Sequence, residues 1–297
     1  MSFFPEESAA MKFFLTTGMD GVAWSLRRLH CPVPKDALVL EVGSGGNPYA
    51  RSNVLLDAYE ETRERHWAPL VTDRPMTLGF VERMPFQDKA FDFVIASHVL
   101  EHSPDPALFL SELERVGKAG YIETPDAFME RVNPYRDHRL EVTQRDGKLI
   151  IRKKTSWRPD GEVVDLYENR VKPHMTREFI PRRPFAFHVR YYWKDRIDHE
   201  IVNPGANAAW PAPEDDRPAP AGGGLRGKVL GLFRQIFSQR GRNAKIDLAQ
   251  LLICPTCGKD DLSWAASSIT CGACGAEYSV KDGIPVMRPQ KDDRREQ

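Results

Sequence analysis

Apolar residues come in short continuous blocks over the first half of the chain, each closed by an acid, a glycine or a proline. Leu38-Val-Leu-Glu-Val-Gly-Ser-Gly-Gly46 and Asn53-Val-Leu-Leu-Asp57 are two such blocks, and Phe91–Ala96 and Gly117–Pro125 are two more. Uninterrupted apolar runs bounded by turn residues are the pattern of strands buried on both faces, as in a parallel sheet covered by helices. The expected fold class is therefore α/β. Before the first block, Val22, Leu26 and Leu29 fall at helical spacing, which predicts helices within residues 8–30 broken near Gly18–Gly21. After Pro125 the pattern changes. Leu140–Thr143 and Leu149–Arg152 flank Arg145-Asp-Gly147, a hairpin signal, and Phe185–Trp193 alternates like a strand with an aromatic face. These segments are expected to complete the sheet edge and form a substrate-facing cap. Asn203–Gly224 is rich in proline and glycine and reads as a linker. Lys228–Arg242 then reads as a basic amphipathic helix, a type that either packs on a neighbouring domain or lies on an anionic membrane surface.

Charge sharpens this division. The chain of 297 residues is neutral overall, but residues 1–130 carry −8, residues 131–245 carry +10 and residues 246–297 carry −2. An acidic first part suits a cationic ligand. A basic middle is either a solvated surface or a face for an anionic partner such as phosphate, glycan, lipid head group or nucleic acid. No apolar run approaches the length of a membrane span. The opening Met1-Ser-Phe-Phe-Pro-Glu-Glu carries acids where a secretory leader carries Lys or Arg, so the expected compartment is the cytoplasm, with peripheral contact to the inner face of the membrane through residues 226–242 as an option.

The glycine loop carries the first chemical discrimination. Gly43 and Gly45 lack a Cβ and tolerate positive φ, so a ligand can approach their backbone closely. A dinucleotide fingerprint needs a third glycine where this chain has Pro48, and a P-loop needs a Gly-Lys-Ser/Thr that is absent. The connection to the next strand, Gly43 to Ser52, is too short for the usual crossover helix. If Val54–Leu56 is the second strand, Asp57 ends it and can accept bonds from both hydroxyls of a ribose. Asp73, after Ala68-Pro-Leu-Val-Thr, is the competing acid.

Met84-Pro-Phe-Gln-Asp-Lys-Ala-Phe-Asp-Phe-Val-Ile-Ala-Ser-His-Val-Leu-Glu-His102 settles which nucleotide is meant. Together with the glycine loop it resembles class I S-adenosylmethionine (SAM)-dependent methyltransferases of the type 11 group, over roughly Leu38 to Pro125. The resemblance implies a Rossmann-like methyltransferase sheet with helices on both faces. It implies that Gly43, Ser44 and Gly45 pass under the methionine part of SAM, that Glu41 orients its ammonium, and that Asp57, favoured over Asp73, holds the ribose. Ser97 and His98 would lie near the methyl group. Members commonly carry a Gly-Asp pair ahead of the Pro-Phe element, where this chain has Gly79-Phe80-Val81-Glu82. Glu82 is the substitute for the adenine contact, and Phe80 either touches the adenine or packs in the core. His98, His102 and His138 are the proton-acceptor candidates, His98 and His138 being assigned to catalysis and His102 read as structural.

Cys254-Pro-Thr-Cys257 and Cys271-Gly-Ala-Cys274, each followed by glycine, have the spacing of two zinc knuckles. Four thiolates make a closed structural zinc site with no open position. Residues 247–288 resemble the small zinc-ribbon family that activates certain methyltransferases acting on tRNA, rRNA or protein, so a stabilising role within the chain is expected. The expected organisation is a methyltransferase domain over 1–202 (core about 36–155, cap about 126–202), a linker over 203–225, the basic helix over 226–245 and the ribbon over 246–290. Three functions compete: methylation of a small molecule, glycan or lipid-linked intermediate; methylation of RNA, which lacks support from any Asn/Asp-Pro-Pro-Tyr/Phe element; and a catalytically silent SAM-binding scaffold.

Overall fold

The computed structural model describes residues 3–65, 67–211 and 236–290. In chain order the strands are β1 (Val39–Val42), β2 (Val54–Asp57), β3 (Met76–Leu78), β4 (Phe93–Ser97), β5 (Ala119–Pro125), β6 (Leu140–Arg145), β7 (Lys148–Lys153), β8 (His188–Lys194), β9 (His199–Ile201), β10 (Leu262–Trp264), β11 (Ser268–Cys271), β12 (Glu277–Lys281) and β13 (Ile284–Val286). The longer helices are α1 (Ala9–Thr16), α2 (Asp20–Leu26), α3 (Pro106–Val116), α4 (Ala127–Val132) and α5 (Gly161–Arg170). The chain forms two compact units: one from Met1–Lys35, Ala96–Ala107 and Ala119–Arg217, the other from Asp36–Ile95, Leu108–Lys118 and Pro218–Gln297.

In the unit that begins at Asp36, the strands run in the order β10-β11-β12-β13-β3-β2-β1-β4. β1, β2 and β3 are parallel, with Glu41 opposite Leu55 and Leu55 opposite Met76. All residues of β1 and β2 are buried, as the apolar blocks require. The order 3-2-1-4 reverses direction between β1 and β4, the topological switch point where open α/β sheets bind ligands at the carboxyl ends of their strands. Phe109, Leu110, Leu113 and Val116 of α3 supply a buried apolar stripe.

The cysteine-rich segment is continuous with this sheet. β13 runs parallel to β3, with Val286 opposite Leu78, and Met287 N donates to Leu78 O at 2.7 Å. Leu55, Met76 and Leu78 form a core cluster against which Ile284 and Val286 pack. Phe86 and Leu252 form a further antiparallel bridge. Gly79 allows the close approach, since a Cβ there would stand 3.0 Å from Met287 O and 3.3 Å from Pro85 Cδ.

In the other unit β5 pairs antiparallel with β8. The hairpin expected at Asp146-Gly147 is present, with positive φ at both residues. It does not complete the main sheet edge, however. β6 and β7 form a separate sheet with β9, which joins β7 in parallel. β8 alone meets the edge expectation, and it starts at His188 because Pro184–Phe187 is a 3-10 turn. The segment read as linker also needs correction at its start. Asn203 receives Lys153 N and donates to Lys153 O, Trp210 Nε1 donates to Lys154 O, and Arg139 donates to the carbonyls of Ala208 and Trp210. Residues 203–211 are therefore anchored, and the rest of that stretch lies outside the described residues. So does most of the expected basic helix; its described end holds a short helix at Arg240–Asn243, and Ile236 and Phe237 are exposed. Among the described residues no helix is long and apolar enough to cross a membrane.

If the β3–β13 contact is as tight as Gly79 indicates, Gly79→Val is expected to destabilise the protein by about 1–3 kcal/mol. Denaturant titration checks this, and a midpoint equal to wild type would contradict it.

Candidate functional site

The glycine loop leaves β1 with φ of 61° at Gly43 and 57° at Gly45, both in the left-handed region. The loop is held to the end of β2: Ser44 N donates to Leu56 O at 3.3 Å, and Gly45 N donates to Asp57 Oδ2 at 3.0 Å. The missing crossover helix is replaced by polar contacts. Glu41, 2 % exposed, accepts from Tyr49 N and Ser52 Oγ, each at 2.8 Å. Arg74 in turn donates to the carbonyls of Tyr49 and Ser52. Glu41 is thus placed as a brace for the loop's return to β2.

Asp57 is the last residue of β2, as expected. Its Oδ1 accepts from Arg65 Nη1 at 3.1 Å and from Tyr59 N at 3.3 Å. Burial lifts its carboxyl above the usual carboxylate value, with Arg65 opposing. The Arg65 stem lies over the loop, where a Cβ on Gly45 would stand 3.2 Å from Arg65 Cδ. Asp73 ends no strand and pairs with Arg74 at 2.8 Å. Glu82 sits on the 3-10 turn Val81–Arg83 after β3. Beside that turn Phe80 packs edge-on to Tyr59, and Arg288, from just beyond β13, lies over both rings and donates to Ala58 O.

These residues fit SAM on two observations. The loop has the positive-φ glycines that a close ligand approach requires. Among the described residues, the buried Ser44 Oγ has no hydrogen-bond partner of its own, and so offers a polar group to a ligand.

The unit containing Ser97 and His98 is organised around Glu123 of β5, which is fully buried. Its carboxylate receives two bonds from Arg27, at 2.8 and 3.0 Å, one from Tyr121 Oη at 2.5 Å and one from Ser97 Oγ at 3.0 Å. His98 is held with φ 58° and donates its backbone N–H to Glu123 O. A non-glycine residue in that region is strained, and such strain gathers at functional sites. Its ring lies between two carboxylates, with Nε2 3.2 Å from Glu123 Oε1 and Nδ1 3.3 Å from Glu101 Oε1. Burial alone would lower the imidazole, but the two carboxylates outweigh it and lift it to about 9. With both nitrogens facing acids the ring is an imidazolium, and it must give up a proton before it can accept one. Burial would raise Glu123, yet His98 and Arg27 hold it well below the ordinary value. Burial and the neighbouring His138 drive His102 down to about 3.

His138, 7 % exposed, stacks on Tyr135 and meets the His102 ring edge-on at 4.7 Å. Its Nδ1 is 2.7 Å from Glu130 Oε2, and Glu130 pairs with the buried Lys154. Glu123, Arg27, Glu130, Lys154 and Arg65 were not singled out from sequence. The one available signal was a carboxylate inside an otherwise apolar strand, Tyr121-Ile-Glu-Thr.

The four cysteines gather as the spacing requires. Cys254 and Cys274 sulfurs are 3.7 Å apart, Cys257 and Cys271 3.6 Å. A tetrahedron with Zn–S bonds of about 2.3 Å has edges of roughly 3.8 Å, so the cluster allows a four-thiolate zinc. Gly258 and Gly275, both at φ 75°, close the two knuckles by donating to the carbonyls of Cys254 and Cys271. Tyr278 Oη lies 3.0 Å from Cys254 Sγ and adds an outer contact.

A sheet of order 3-2-1-4, parallel through β1, β2 and β3, with a glycine turn after β1 and an acid closing β2, is a Rossmann-like fold. Residues 40–122 match the methyltransferase domain family Methyltransf_11. No curated protein sequence matches the chain. Among solved structures, a SAM-dependent methyltransferase of Thermotoga maritima is similar at 20% identity and TM-score 0.29, over 39% of this chain and 57% of that one. The chain thus spans less than two thirds of that relative. The Haloferax volcanii complex of the Trm112 methyltransferase activator with a methyltransferase is similar at 17% identity and TM-score 0.35, over 64% of this chain and 95% of that one. A SAM-dependent methyltransferase of Mesorhizobium loti is similar at 10% identity and TM-score 0.34, over 59% and 97%. The functional reading rests on the family match and on the residues themselves.

The Glu123 cluster makes the protein acid-sensitive. A carboxylate held below its ordinary 4.5 contributes stability above that pH and loses it as pH falls through the folded value. Thermal melting from about pH 4.5 downward should fall steeply in wild type and less steeply in Glu123→Gln. Equal slopes would contradict the assignment.

Proposed function

We propose that this methyltransferase acts on a small molecule, a glycan or a lipid-linked intermediate. The observation that carries this reading is the fate of the basic middle segment. Six of its cations face acids of their own unit: Lys154 with Glu130, Arg131 and Arg152 with Glu141, Arg183 with Asp20, Arg190 with Glu7 and Arg196 with Asp198. Phosphate-tracking surfaces instead offer cations to the ligand.

When bound, SAM supplies the sulfonium-borne methyl group. Gly43, Ser44 and Gly45 are proposed to hold its methionine part, with Glu41 bracing the loop and reaching the ammonium. Asp57 takes the ribose hydroxyls in place of Arg65, and Glu82 lies at the adenine end. Ser97 and His98 serve the transfer side, His98 by orienting the acceptor and, after passing one ring proton to a facing carboxylate or to solvent, taking the acceptor's proton; His138 is the second candidate. Alignment and exclusion of water supply most of what methyl transfer needs. The four cysteines hold a structural zinc, and the ribbon stabilises the cofactor sheet through β13 and β3. In domain terms the proposal is a methyltransferase domain to 202 and a ribbon over 246–290.

Asp57→Asn should weaken SAM binding by about 10- to 100-fold, from loss of charged hydrogen bonds, measured by calorimetry. Unchanged affinity would remove Asp57 from the site. Cys254→Ser should lose zinc and lower the melting temperature; a zinc-free protein as stable as wild type would remove the stabilising role. Radiolabelled methyl transfer from SAM into cell extract tests the acceptor. Label is expected in the small-molecule, glycan or lipid fractions, whereas label in RNA with salt-sensitive RNA binding would establish the RNA reading instead.

A further inference from the structure

We propose a second metal site, for a divalent first-row transition ion, formed by Glu101, His102 and His138. Glu101 and His102 lie on the 3-10 turn Leu100–His102 that follows β4, and His138 lies just ahead of β6. Arg139 N donates to Glu101 O and ties the two segments together. One ligand atom from each residue lies within 4.8 Å of the others. A modest contraction brings such a trio onto one ion.

Three further features mark a built site. First, Glu101 is 2 % exposed, and His98 Nδ1, 3.3 Å from Oε1, is the one cation beside its carboxylate among the described residues, with no donor on Oε2. A buried carboxylate with an unpartnered oxygen keeps lone pairs that a bound cation can take. Second, His138 is oriented in the way metal-binding histidines are. Its Nδ1 is held by Glu130, Glu130 is held by Lys154 and Tyr135 N, and Nε2 remains to ligate. A carboxylate behind a ligating imidazole fixes the tautomer and raises its basicity. Third, His102 is fixed by a hydrogen bond to the Asp137 backbone, the other common support for such a ring.

Two imidazoles with one carboxylate favour first-row divalent ions over calcium or magnesium. Three protein ligands leave open positions, unlike the closed four-cysteine cluster. Those positions suit an oxygen donor such as a hydroxyl or carboxylate. If the acceptor reading above holds, that donor is the acceptor; the metal site itself does not depend on it. His138 then serves as a ligand, and His98 is left for the transfer side.

The test uses the full-length, zinc-loaded protein titrated with manganese(II) chloride, followed by electron paramagnetic resonance and total metal analysis. Manganese avoids four-thiolate sites, so the ribbon does not compete for it. Wild type should hold one more equivalent of metal, zinc or manganese, than Glu101→Gln. Glu130→Gln should bind that ion about 10- to 100-fold more weakly. Ribbon zinc and the circular dichroism spectrum report folding; where Glu101→Gln loses either, His138→Gln replaces it. Wild type that holds no metal beyond the ribbon's, or that matches a folded variant, overturns the proposal. Neither result depends on SAM binding or methyl transfer.

Discussion

The short return from the glycine loop to β2 is the constraint on which the unit beginning at Asp36 depends. Parallel neighbours normally need a helical crossover of a dozen residues or more. Here one buried carboxylate does that work: Glu41 gathers Tyr49 N and Ser52 Oγ, and Arg74 closes the turn from the other side. Without that brace Tyr49 N and the Ser52 carbonyl would lose these partners, a cost comparable to two lost hydrogen bonds. With it, β2 stands beside β1 and Asp57 is delivered next to Gly45.

A similar economy governs the unit built on Glu123. A single buried carboxylate collects Arg27, Tyr121, Ser97 and His98 from three segments. Buried ion pairs contribute little net stability against apolar replacements, but losing one partner is strongly destabilising. Such a cluster specifies geometry more than it adds stability. Its result is a strained His98 and a set of histidines and acids held in fixed relation, which an apolar core could not provide.

What could be read from sequence was local. The apolar blocks of β1 and β2, the glycine turn, the acid at the end of β2, the Asp146-Gly147 hairpin and the cysteine knuckles all depend on neighbours within a few residues. Contacts across long separations left no local mark. Arg27 and Glu123 lie 96 residues apart, and the pairing of β7 with β9 is equally silent. β3 is three residues long and takes its place from β2 on one side and β13 on the other, so no periodicity announces it. Residues 203–211 have the composition of a linker, yet Asn203 and the Trp210 indole are held by backbone groups that composition cannot reveal.

In the proposed function the loop after β1 and the end of β2 bind SAM. A crystal structure with S-adenosylhomocysteine tests it most directly. The ribose hydroxyls are expected on Asp57, with Arg65 displaced from that carboxylate, and the amino-acid end against Gly43–Gly45. Product bound elsewhere, with the Asp57–Arg65 pair intact, would contradict it.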